Sequence, residues 1–112
     1  MKVVSDATPI ISLSSIHKLK LLQLLFKQIY IPKAVYKEIK SKKHFGYKEI
    51  DADWFNVSDI KGKSYLGFLL NDLDAGEAEA IVLAKEIKAE ILLIDERIGY
   101  HIAKSQNIFA IV

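Results

Sequence analysis

LDAGEAEAIVLAKEIKAEILLIDE, residues 73–96, decides the fold of this chain. It opens as an acidic helix start, with Asp74, Glu77 and Glu79. The helix body is apolar, with Ala78, Ile81, Val82 and Ala84. An all-apolar strand follows, Ile91 to Ile94, and stops abruptly on Asp95-Glu96. A buried strand that ends on carboxylates presents chemistry at the carboxyl edge of an α/β sheet.

Outward from this stretch, the same unit recurs. Residues 2–5, KVVS, form a β-branched strand that ends at Asp6, and Thr8-Pro9 reads as the N-cap and first position of a helix. Apolar residues at helical spacing run from Ile10 to Phe26, with a break expected at Ser14-Ser15 and His17. Residues 28–31 form a second strand closed by Pro32, and Lys33 to Lys43 a helix with an apolar stripe of Ala34, Val35 and Ile39. Glu38 lies beside that stripe. A loop or frayed helix surrounds Gly46, and residues 54–60 suit a third strand. Tyr65 to Leu70 suits a short helix, Ala75 to Lys88 a long one, and a last helix, 96–105, precedes a last strand, 108–112. Alternating short strands and helices predict a three-layer α/β/α domain with a mainly parallel sheet.

The bulk properties agree. A chain of 112 residues, 51% hydrophobic, suits a single domain over residues 1–112. The absence of cysteine excludes disulfides and thiolate metal sites. No apolar run approaches the ~20 residues that span a bilayer, and the start lacks a signal-peptide core. A soluble, cytoplasmic protein without membrane contact is expected. The charge is only +2, but Lys33, Lys37, Lys40, Lys42, Lys43 and Lys48 crowd one segment. A basic helix beside an acidic pocket would suit a phosphate-bearing polymer. A lysine-rich solvated face is the plainer reading.

Asp6 and Asp95 each follow an apolar strand and precede a helix. If those strands are parallel neighbours, both aspartates meet at the topological switch point. Glu38 and Glu77 come from two further helices. Four converging carboxylates would raise one another's pKa unless a hard cation compensates them. Oxygen-only ligation suits Mg²⁺ or Mn²⁺ and makes zinc a poor fit. Each acid has a structural reading too: Asp74 and Glu77 have capping-box spacing, Glu38 stands four before Lys42, and Asp6 suits an Asx-turn. A phosphotransfer protein is disfavoured, since Thr8 stands where a second acid would be needed and no phosphate-binding glycine loop exists.

At these residues the sequence resembles a PIN-domain protein, of the branch related to toxin-type ribonucleases of toxin–antitoxin pairs. The resemblance lies in VVSDATPIISLSSI (3–16), IYIPKAVYKEI (29–39), LDAGEAEAIVLAKE (73–86) and ILLIDERIGYHIAKSQNI (91–108). It implies a five-stranded parallel sheet of order 3-2-1-4-5. It implies RNA cleavage with Mg²⁺ or Mn²⁺ by Asp6, Glu38, Glu77 and Asp95, with Asp6, Glu77 and Asp95 as metal ligands. Thr8, Asp74 and Glu96 would support the site, and Lys33, Lys37 and Lys40 are candidates for substrate contact. A homodimer and a cognate antitoxin protein are further expectations. The chain departs from the branch in three places. Gly99-Tyr100 stands where glycine-arginine is common, and Ile94 where a threonine is common. The sequence also ends before the family's usual C-terminal helices. A PIN-like binding module without cleavage is the competing expectation.

Overall fold

The computed structural model describes residues 1–71, 73–94, 104, 110 and 111. Five strands form one sheet: β1 (Val3–Ser5), β2 (Ile29–Pro32), β3 (Phe55–Ser58), β4 (Ile91–Leu93) and β5 (Ala110–Ile111). Their order is β3-β2-β1-β4-β5, and every pairing is parallel. The order expected from the resemblance is the order observed.

The helices are α1 (Ala7–Ser15), α2 (Lys20–Phe26), α3 (Lys33–Ser41), α4 (Lys63–Leu69) and α5 (Ala75–Glu86). Side chains alternate across a strand, so successive residues enter different cores. Val3, Ile29, Ile31 and Leu93 pack against α1, α2 and α3, while Val4, Leu92 and Ile94 pack against α4 and α5. The connections from β1 to β3 cover one face and the connection from β3 to β4 covers the other, which makes the β1–β4 boundary the switch point. Val3↔Ile91, Val4↔Leu92 and Ser5↔Leu93 set that register. The N–H of Asp6 extends it by donating to the Leu93 carbonyl at 2.9 Å.

Local chemistry explains the boundaries. The break between α1 and α2 falls at His17, whose φ of 59° cannot continue a helix. Asp6, rather than Thr8, is the N-cap of α1, and its carboxylate accepts the Ala7 N–H at 2.7 Å. The strand therefore delivers its aspartate straight into the helix start, and Pro9 sits within the first turn, where its missing N–H is harmless. The predicted frayed region around Gly46 contains a short 3₁₀ turn, Glu49–Asp51. The predicted helix over 96–105 lies outside the described residues. No helix among the described residues is long and apolar enough to cross a membrane.

Candidate functional site

α5 owes its position to its own cap. Asp74 accepts the Glu77 N–H at 2.8 Å, and the Glu77 carboxylate reaches back to the Asp74 N–H at 3.4 Å. This is the capping box that the spacing predicts. In this helix Gly76, Glu77, Ala78 and Ala80 to Ala84 are all buried. Glu79, two residues on, accepts the Ala34 N–H at 3.1 Å. It thereby ties α5 to the start of α3 and supplies an acceptor for a backbone donor left open there. The sequence marked Glu79 only as part of an acidic helix start. A carboxylate two residues past the capping acid was the available signal, but its partner is 45 residues away in sequence.

Asp6 and Asp74 flank Gly76, and the charges of both bear on Glu77. A Cβ placed on Gly76 would lie 3.5 Å from Asp6 Oδ1 and 3.6 Å from Asp74 Oδ1. Asp6 and Glu77 are only 4% and 7% exposed. One oxygen of Glu77, Oε2, is buried without a hydrogen-bond partner among the described residues. Burial is the largest influence on its proton. The hydrogen-bonded Asp74 carboxylate, and then the charges of Asp74 and Asp6, add to it and push the Glu77 carboxyl up to about 8. A carboxylate so placed holds either a proton or a cation near neutral pH.

The other expected residues fall in different places. Glu38 is half-buried, one turn beyond Val35 on α3, and forms no ion pair with Lys42. Asp95 and Glu96 lie outside the described residues; Asp95 follows Ile94 in the chain. Thr8 is exposed and lines an apolar cleft of about 260 Å³ with Leu13, Leu93, Ile94 and Ile111. Lys33 pairs with Asp59 at 3.5 Å on the surface. Lys37 is exposed, and Lys40 is drawn into a bond with Asp51 at 2.6 Å. The picture of one basic helix beside an acidic pocket needs correction. Only the start of α3 lies at the acid end, and its lysine-dense end, with Lys42 and Lys43, points to the amino end of the strands.

The donor set suits a hard divalent ion in type: carboxylate oxygens, one of them orphaned and buried. In number it is short, because no three metal-type side chains converge among the described residues. A ligand set built on Asp6 and Glu77 needs a further oxygen from beyond them, and Asp95 is the candidate by sequence.

A solved domain of a functionally unknown protein from Methanocaldococcus jannaschii DSM 2661 is similar in fold, with a TM-score of 0.61 and 23% identity. The match covers 98% of this chain and 89% of that one. No curated protein matches the chain. A family model described as a PIN domain matches residues 2–111. With the match running over nearly its whole length, this chain belongs to the PIN-domain family.

Proposed function

We propose that the chain is a divalent-metal-dependent endoribonuclease, acting with Mg²⁺ or Mn²⁺, and the toxin of a toxin–antitoxin pair. PIN domains usually carry nuclease activity and generally use divalent metals. The observation that carries the reading is Glu77 Oε2, buried without a hydrogen-bond partner among the described residues and within reach of the Asp6 charge, at the switch point of the sheet. A protein gains nothing in stability from such an atom, since an unsatisfied buried acceptor costs about 1–3 kcal/mol. A bound cation satisfies it.

Asp6 and Glu77 would hold the ion, with Asp95 as the third candidate ligand and Glu38 as a further catalytic acid. Asp74 orients Glu77 through the capping box, and Glu79 keeps α5 seated on α3. When bound, a divalent ion supplies an activated water and offsets charge on a phosphodiester. A homodimer and a protein antitoxin belong to this reading as partners.

Melting the wild type and Asp6→Asn with EDTA, Mg²⁺ and Mn²⁺, followed by RNA cleavage assays, tests it. A Mn²⁺-dependent rise in the wild type alone is expected, because only a ligand-binding native state is stabilised by mass action. Cleavage is expected to fall more than about a hundredfold in Asp6→Asn, beyond the loss usual for groups that merely support a ligand. Equal melting and equal activity in the two proteins would remove the reading. The specific observation favouring a non-cleaving binding module is the short ligand set among the described residues. That module predicts no metal shift in either protein.

A further inference from the structure

Residues 42–48, KKHFGYK, hold three lysines, a histidine and two aromatic rings, with no carboxylate. The acid cluster makes no use of them. α3 leaves the carboxyl end of β2, and the chain re-enters the sheet at Phe55, so this loop lies at the amino end of the strands. A helix of nine residues separates the two ends by about 13 Å.

The loop is braced along its length. His44 donates to Ile39, Tyr47 to His44 and Ile50 to Gly46, each at 3.0–3.1 Å between backbone atoms. Lys40 Nζ donates to the Tyr47 carbonyl at 2.8 Å and to Asp51 at 2.6 Å. Gly46 has φ +94°, and a Cβ there would lie 2.9 Å from Ser14 Oγ, so the turn is pressed onto α1. Ile50 is buried beneath. Despite this anchoring, Phe45 stays 61% exposed. With Lys43, His44, Tyr47, Lys48 and Glu49 it lines a depression of about 330 Å³. Lys48 Nζ lies 5.7 Å from the Tyr47 ring centre.

An aromatic side chain has only two torsions to order, so a second ring stacks on it at low entropic cost. Aromatic rings among cations are the usual means of holding single strands without sequence preference. A protein partner fits less well, because protein interfaces are depleted in lysine and favour arginine, and this loop has no arginine. We infer that residues 42–48 anchor single-stranded RNA at the end of the molecule opposite the acids, with Phe45 stacking on a base and Lys42, Lys43 and Lys48 holding phosphates. Glu49 lines the same depression, and its charge counts against phosphate there. The inference rests on the ribonuclease reading for its ligand class and deepens it: substrate is held at two places, and only one of them cuts.

The test is binding of a labelled 12-nucleotide oligouridylate to the full chain, by fluorescence anisotropy in EDTA over a salt series. Phe45→Ala is expected to weaken binding about tenfold with the salt slope unchanged. Replacing Lys42, Lys43 and Lys48 by Gln is expected to weaken binding and to flatten the slope by about two. Replacing Lys61, Lys85 and Lys88 by Gln removes the same charge from the α5 side and is expected to change little. Thermal melting checks that each variant is folded; all these side chains are exposed. The inference is overturned by a wild type that does not bind, by Phe45→Ala binding like wild type, or by equal losses in the two lysine variants. Cleavage separates the two claims. A protein that binds through this loop and never cuts keeps the anchor and loses the nuclease. One that cuts while both loop variants bind normally keeps the nuclease and loses the anchor.

Discussion

Two carboxylates, Glu77 and Asp51, stand at opposite ends of the sheet and meet opposite treatment. Asp51 is half-exposed, accepts the Tyr36 hydroxyl at 2.7 Å and Lys40 Nζ at 2.6 Å, and these partners hold its carboxyl below the usual range. Glu77 is buried, has one oxygen without a hydrogen-bond partner among the described residues, and faces other acids rather than a cation. The difference is one of supply. Around Asp51 the chain provides its own cation and donor, so the acid braces a loop. Around Glu77 the protein provides carboxylates, so the charge must be met by a proton or by something bound. Three experiments press on this contrast.

The pH dependence of stability in EDTA should show the largest effect. The Glu77 carboxyl ordinarily titrates near 4.5 and is held at about 8 in the fold. Between those values the folded protein keeps a proton that the unfolded chain has lost. Its contribution to stability therefore falls as pH rises through that window, by at most about 1.4 kcal/mol per pH unit, and levels off above it. Glu77→Gln should remove this slope and leave the protein more stable than wild type at pH 8 in EDTA. Chemical denaturation at several pH values reads both. A slope that survives the substitution would place the titrating group elsewhere.

The two ends also differ in their glycines, with a smaller effect. Gly46 has φ +94° and no room for a methyl beside Ser14 Oγ, while Gly76 meets only ordinary contacts at 3.5 Å and beyond. Gly46→Ala should cost about 1–3 kcal/mol. Gly76→Ala, in a helix with space around it, should cost nothing or stabilise by up to about 1 kcal/mol. Melting of the two variants side by side decides; equal losses would mean that the loop end is no tighter than the acid end.

The smallest effect is on a side chain alone. The hydrogen bond to Asp51 raises the Tyr36 phenol above its ordinary range. Asp51→Asn should let Tyr36 titrate at lower pH and free Lys40 from its brace, both visible by NMR, with the acid end unchanged. A Tyr36 titration that does not move would show that Asp51 does not hold this network.

Much of the fold was legible because its signals are local. Short β-branched or apolar runs that stop at or just before Asp6, Pro32 and Asp95, with helical stripes between them, imply alternating strands and helices whatever their partners. The capping box of Asp74 and Glu77 was legible for the same reason, as both its hydrogen bonds join residues three apart. The cap of α1 was misplaced from Asp6 to Thr8. Both residues suit a cap, and the choice depends on where strand pairing to Leu93 releases the chain. The contact of Glu79 with Ala34 was not legible, nor was the turning of Lys40 to Asp51. In both, a surface-type residue finds its partner through packing of distant segments.

What the sequence by itself determined is the order of elements, the α/β class and a set of acids at strand ends and helix starts. These follow from periodicity, β-branching and capping chemistry within a few residues. Only the tertiary structure decided which acids matter together. Pairing β1 beside β4 and laying α5 over them buries Glu77 within reach of the Asp6 charge, and it sends the lysine-rich end of α3 to the far side. Charge and pKa depend on separation and solvent access, and both are properties of packing rather than of spacing along the chain.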